Sequence, residues 1–238
     1  MWGGSWATPR LIRSICLMSD LRLVIFDVDG TLVDSQAEIV AAMTLAFQSE
    51  GLALPDRATI LSIVGLSLAE AFRVLCPQAD DVQRARLVEA YKGAFMQLRA
   101  DRQEMGPLFP GARAALDVLR AQDHTLLAVA TGKSRRGLDK VLERHGLAEM
   151  FHSQQVADHH PSKPNPSMIL TALAETGVAP QKAVMLGDTT YDMDMARAAG
   201  IRRIGVTWGY HAADSLQADA MIEDFAALPG AVDQLIGV

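Results

Sequence analysis

Two carboxylates stand two residues apart in Asp27-Val28-Asp29-Gly30-Thr31, directly after the apolar run Leu21-Arg22-Leu23-Val24-Ile25-Phe26. A β-rich apolar run closed by a turn predicts a buried strand, and in an open α/β sheet ligands bind beyond the carboxyl ends of the strands. Gly30 has the backbone freedom for a sharp turn that aims both acids at one point. Asp-Gly is also an ordinary turn pair, so the rest of the chain must supply a site before these acids mean more than a turn.

Three further segments supply one. Ala130-Thr131-Gly132-Lys133-Ser134 closes a second apolar run, offering a hydroxyl and backbone N–H groups at a helix start, which suits a phosphate oxygen. Thr131 and Ser134 equally suit the capping of a helix beginning near Arg135. The Gly132-Lys133-Ser134 triplet is no P-loop, because Leu127 stands where that motif needs glycine. Lys163 lies in Pro161-Ser162-Lys163-Pro164-Asn165-Pro166, where prolines restrict the directions its ammonium takes. Val184-Met185-Leu186-Gly187-Asp188 is a buried-type strand ending in a carboxylate, with Asp192 one helical turn further on. Capping of the following helix is the plain alternative for these two acids.

Together Asp27, Asp29, Asp188 and Asp192 are expected to crowd one crevice, where mutual repulsion raises their pKa values unless a cation is present. Mg²⁺ prefers oxygen ligands and usually takes one or two carboxylates plus a substrate phosphate, which matches this inventory. Thr131 and Lys163 then hold a phosphoryl group in line with a carboxylate nucleophile.

The elements that must position these residues follow from periodicity. Apolar runs at Leu21–Phe26, His124–Ala130, Lys182–Gly187 and Gly200–Val206, each followed by a turn and a helical pattern, predict a parallel α/β sheet. Between Ser35 and Gly106 only helical patterns occur, roughly at 37–49, 58–63, 68–75 and 82–100. Such a stretch is too long for a crossover and reads as a helical cap. The expected organisation is an N-terminal extension over 1–19, a core from 20–34 and 106–238, and a cap over 35–105.

The composition excludes several classes. The 238 residues carry 22 basic and 28 acidic side chains, a formal charge of -6, with no long basic run, so neither nucleic acid nor an anionic membrane is an expected partner. No stretch approaches the roughly 18 apolar residues of a membrane span. Cys16 and Cys76 lack any paired metal or redox spacing, and the expected setting is cytoplasmic. Residues 1–19 resemble a targeting segment superficially, but Arg13 breaks the apolar run and Met18 reads as an alternative start. The adjacent His159 and His160 point in different directions and are expected to line a loop near Lys163 rather than bind metal. Trp208 is expected to pack against the sheet edge or core.

Asp27-Val28-Asp29-Gly30-Thr31, Thr131, Lys163 and Gly187-Asp188 through Asp192 resemble, in order, the four motifs of the haloacid dehalogenase superfamily. The helical insert after the first motif is similar to the C1 cap of its phosphoglycolate phosphatase and β-phosphoglucomutase branch, and Gly205–Tyr210 is similar to a segment of phosphoglycolate-phosphatase-like members. The resemblance implies a Rossmann-like core and hydrolysis of a small phosphorylated metabolite. It implies that Asp27 is a nucleophile forming an aspartyl phosphate and that Asp29 is the general acid and base. Mg²⁺ would be held by Asp27, the backbone carbonyl of Asp29, Asp188 and, directly or indirectly, Asp192. Phosphate would be gripped by Gly30, Thr31, Thr131, Gly132 and Lys163.

An acid at Asp29 favours phosphate esters over the dehalogenase and phosphonatase chemistries of the family, which need no such proton donor. A phosphomutase is the nearest alternative. Its cap loop typically supplies basic side chains, and Ile63-Val64-Gly65-Leu66-Ser67-Leu68 has none. A phospho-receiver domain or an inactive binding module belongs to a different class, opposed by the chain length and by the complete motif set. The expected assembly is a monomer or homodimer.

Overall fold

The computed structural model describes residues 21–102 and 106–237. The expected extension over 1–19, with Cys16, Trp2 and Trp6, lies outside them.

Six strands form one parallel sheet: β1 (Arg22–Phe26), β2 (Thr125–Thr131), β3 (Ser153–Val156), β4 (Ala183–Gly187), β5 (Arg202–Val206) and β6 (Ala220–Ile222), in the spatial order β3-β2-β1-β4-β5-β6. The chain moves outward from β1 to one side through β2 and β3, then returns to the other side of β1 for β4. The crevice beyond the carboxyl ends of β1 and β4 is therefore a topological switch point, where ligands bind in such sheets.

Helices cover both faces, so β1 and β4 are buried throughout and read as unbroken apolar runs. On one face Val24, Phe26, Val129, Leu186 and Ile204 pack against α5 (Ala112–Arg120), α6 (Arg135–Arg144) and α9 (Leu228–Ile236). The alternate residues Leu23, Ile25, Ala128 and Met185 face α7 (Ser167–Thr176) and α8 (Thr190–Ala198). At the amino end of β1, Arg22 is fully buried and ties the sheet to the C-terminal helix through Asp233 at 2.7 Å and the Gly237 carbonyl at 2.6 Å. Trp208, half-buried, lies between Phe109 and Phe225 against the core and donates from its indole nitrogen to the Thr31 carbonyl.

Between β1 and α5 lie α1 (Gln36–Ser49), α2 (Arg57–Ser62), α3 (Leu68–Leu75) and α4 (Asp81–Arg102). They bury an apolar cluster of their own, including Met43, Phe47, Phe72, Leu87 and Tyr91. Each such side chain contributes roughly 1.5–3 kcal/mol by leaving water. The two connections to this cap run side by side: Asp34 N–H donates to the Pro107 carbonyl and Phe109 N–H to the Leu32 carbonyl, both at 2.9 Å.

The sheet has two strands that the sequence pattern does not reveal. Ser153-Gln154-Gln155-Val156 is short and polar, and Ala220-Met221-Ile222 has three residues; both lie at sheet edges, where no continuous apolar run is required.

Candidate active site

Asp27 follows the last residue of β1, and its N–H donates to the Leu186 carbonyl of β4, fixing it at the switch point. The side chain is 1% exposed, and its Oδ2 accepts no hydrogen bond among the described residues. The Lys163 ammonium lies 2.9 Å from Oδ1 as an ion pair. Burial pushes the Asp27 carboxyl up to about 7; Lys163 opposes the rise and the Asp192 charge adds to it.

Asp188 follows β4 and is fully buried. Its Oδ1 accepts from the Thr31 hydroxyl at 2.8 Å and its Oδ2 from the Tyr210 N–H at 2.9 Å. Burial, then the Asp192 and Asp27 charges, raise its pKa well above the carboxylate range. The hydroxyl of Thr31, a residue that the resemblance places at the phosphate, donates to Asp188. It is buried completely, so its work is to orient a carboxylate. Gly30 has φ +79°, and a Cβ there would lie 2.2 Å from Asp188 Oδ2, so the glycine makes room for that acid.

Asp192 is the third residue of α8 and forms a capping box with Thr189. Its Oδ2 accepts from the Thr189 hydroxyl at 2.7 Å and N–H at 3.1 Å, while its Oδ1 accepts from Lys163 at 2.7 Å. Capping and site chemistry thus coexist in one residue. Lys163 is 1% exposed, not a surface charge. Burial pulls its pKa down, but Asp192 and Asp27 outweigh that and leave it raised, hence charged.

One ligand atom each from Asp27, Asp188 and Asp192 lie within 4.8 Å of one another. Three buried carboxylates, two of them paired with one lysine, together with the unpartnered Oδ2 of Asp27 fit a hard divalent cation. Asp192 already spends both oxygens on Lys163 and Thr189, which suits it to support such an ion from behind.

Asp29 departs from the expected four-acid cluster. Its carboxylate points toward the cap side, where Oδ1 accepts from the Ser35 hydroxyl and pairs with Lys133 at 2.7 Å. The turn at Gly30 aims the two acids of the motif at different neighbours, because residues two apart that leave a strand need not share a face once the chain bends. Ser35 also lies 3.2 Å from the Tyr210 hydroxyl, whose pKa is raised by burial and then by Asp29.

Thr131 ends β2 and is 1% exposed; Gly132 follows in the loop to α6, which Ser134 caps by accepting from Gly137 N–H at 3.2 Å. A Cβ on Gly132 would stand 2.6 Å from the Gly65 carbonyl and 2.7 Å from that of Leu66, so the cap loop rests directly on this glycine. His160 bonds Ser167 and Gln155 in the loop that leads to Lys163.

Asp27, Asp29, Thr131, Gly132 and Lys133 line one end of a cavity of about 280 Å³ between core and cap. Lys133, Ser35, Thr189 and Tyr210 are site residues that the sequence reading left without a role. Lys133 adjoins Thr131-Gly132 and was open to notice, whereas Ser35 and Tyr210 come from segments 175 residues apart and only folding unites them.

The sequence model of the haloacid dehalogenase-like hydrolases matches residues 24–206. The chain belongs to that family. It is 38% identical over 220 residues to a protein of Dickeya dadantii named Probable phosphatase IndB, covering 90% of this chain and 94% of that one. It is 32% identical to a phosphoglycolate phosphatase of Pseudomonas putida, covering 91% of this chain and 82% of the relative. Among solved structures, a haloacid dehalogenase-like family hydrolase from Streptococcus pneumoniae superimposes with a TM-score of 0.77 at 25% identity, over 89% of this chain and 98% of that one. The parallel sheet with flanking helices is thus the family's core, and the chain is a hydrolase of this kind. Among the described residues no helix is long and apolar enough to cross a membrane.

Proposed function

We propose that this protein is a Mg²⁺-dependent phosphomonoester hydrolase that acts on a small phosphorylated metabolite through a phosphorylated Asp27. The observation that carries the reading is Asp27 itself, a buried carboxylate paired through Oδ1 with a buried lysine and with Oδ2 unpartnered, facing a cavity at the switch point. A carboxylate costs free energy in such a place unless its lone pairs are used by a substrate or an ion.

The roles follow. Asp27 Oδ attacks phosphorus while the bond from phosphorus to the leaving alcohol breaks. Asp29 gives its proton to the departing oxygen, then takes one from water, and the resulting hydroxide attacks the phosphoryl group to release phosphate and regenerate Asp27. Thr131 and the backbone N–H groups beside Gly132 hold phosphoryl oxygens, and Lys163 stabilises charge that develops on them. Bound Mg²⁺ would neutralise charge on the carboxylates and phosphoryl oxygens, held by Asp27, Asp188 and the Asp29 carbonyl with Asp192 in support. A cytoplasmic protein acting as a monomer or homodimer, with no nucleic-acid or membrane partner, suits this role.

The test is phosphate release from a panel of phosphomonoesters with Mg²⁺, for wild type and Asp27→Asn. The variant is expected to fall by more than roughly 10³-fold, because an amide is a poor nucleophile. Turnover by Asp27→Asn near the wild-type rate would reject Asp27 as the nucleophile.

A further inference from the structure

Resting on the phosphatase reading above, we propose that the alcohol released by this enzyme is predominantly apolar, carrying an alkyl chain or ring rather than a second acidic group. The cavity behind this proposal has two unlike halves. Its core end holds Asp27, Asp29, Thr131 and Gly132, which account for a phosphoryl group. Its cap wall is mostly apolar, with Ile39, Met43, Ile63, Leu66 and Phe95 beside the charged pair Glu89 and Lys92. The apolar residues are contiguous with the buried cap cluster, in which Met43 is 1% and Ile63 4% exposed. At about 280 Å³ the space is close to the lower bound of roughly 300 Å³ for small-molecule sites, so it admits a metabolite and not a macromolecule.

Charge argues in the same direction. The one lining cation contributed by the cap among the described residues, Lys92, pairs with Glu89 at 2.7 Å. Lys133, beside the catalytic carboxylates, pairs with Asp29 at 2.7 Å and lies 5.6 Å from the centroid of the Phe95 ring. Both cations pair with acids that themselves line the cavity, so these pairs offer a leaving-group carboxylate no net positive charge beside the methionine, isoleucine and phenylalanine of the wall. Arg136 and Lys140, the other lining cations, are exposed and belong to α6 of the core, not to the cap wall. The wall that meets the leaving group therefore selects by apolar contact.

The experiment measures kcat/KM for ethyl, butyl and hexyl phosphate and for 2-phosphoglycolate, with p-nitrophenyl phosphate as a reference of high intrinsic reactivity. The alkyl alcohols have nearly equal acidity, so chemistry is constant and contact varies. The expected gain is about fourfold per methylene, corresponding to about 0.8 kcal/mol per buried CH₂, which makes butyl phosphate about 15-fold better than ethyl phosphate. 2-Phosphoglycolate is expected to be no better than ethyl phosphate. Phe95→Ala should cut the butyl-to-ethyl ratio to below about fivefold, a ratio in which any general loss of activity cancels. A flat alkyl series, or 2-phosphoglycolate outperforming butyl phosphate, would overturn the inference. In either case p-nitrophenyl phosphate hydrolysis that Asp27→Asn abolishes would leave the phosphatase reading standing. Failure to release phosphate from every ester would overturn that reading and this inference with it.

Discussion

Asp27 and Asp29 are the same chemical group two residues apart, and their surroundings give them different work. Asp27 is sealed beside Asp188 and Asp192 with Lys163 as counter-charge, whereas Asp29 faces the cap and is held by Ser35 and Lys133. A proton donor must reach the leaving oxygen, and Asp29 lines the cavity where that oxygen would emerge. Asp29→Asn keeps the shape of the side chain but removes proton transfer, and should lower kcat by roughly 10²–10⁴-fold for an alkyl phosphate. The loss should shrink for p-nitrophenyl phosphate, whose leaving group needs no proton. Equal losses on the two substrates would remove the general acid role. The residue types and order of Asp27, Asp29, Asp188 and Asp192 were legible in the sequence because each sits at or near a strand end with a recognisable apolar run before it, and Lys163 because prolines flank it. The direction of Asp29, and the hydrogen bond of the Thr31 hydroxyl to Asp188, depend on side-chain partners far along the chain and left no local signal.

At the scale of elements, the strands deliver the acids and the cap loop closes over them. Gly132 is where the two parts touch: its α-carbon faces the backbone carbonyls of Gly65 and Leu66, and Ser67 N–H donates to Ser162 Oγ nearby at 2.9 Å. Backbone yields less readily than a side chain, so Gly132→Ala should hold the cap loop off the core. With substrate misplaced by a fraction of an ångström or more, kcat/KM should fall roughly 10- to 10²-fold while the melting temperature changes little. Gly137→Ala, one turn into α6 where the nearest contact is Ser134 Oγ at 3.2 Å, is the control. Steady-state kinetics beside thermal unfolding would decide it, and an unaffected Gly132→Ala would mean that the cap loop does not need this approach. The four central strands and all four cap helices were readable, since buried parallel strands are continuous apolar runs and helices repeat every 3.6 residues. The edge strands β3 and β6 were not, because their pairing comes from the neighbouring strand and not from their own composition.

For the whole molecule, the acidic cluster makes folding, pH and cation binding a single problem. Without a cation, Asp27 titrates near 7 and Asp188 also lies above its ordinary value, against 3.8 for an unperturbed aspartate. An acid whose pKa is raised on folding binds its proton more tightly in the native state than in the unfolded one. Its contribution to stability is complete below the unfolded pKa near 4 and is lost as pH rises through the folded value, here about 7 for Asp27. The metal-free protein should therefore lose stability between about pH 4 and pH 7 from this cluster. Mg²⁺ binds only the ionised carboxylates, so below pH 7 protons compete with it, and its apparent affinity should fall about tenfold per pH unit for each proton displaced. Thermal unfolding with and without Mg²⁺ should show a small stabilisation at pH 5 that grows toward pH 8. Asp27→Asn removes one titrating group, and should raise the stability of the metal-free protein at pH 8 while flattening the pH dependence of the Mg²⁺ effect. A Mg²⁺-induced shift of equal size at both pH values would mean that the ion does not bind these carboxylates, and the cluster would then have to be a structural network centred on Lys163.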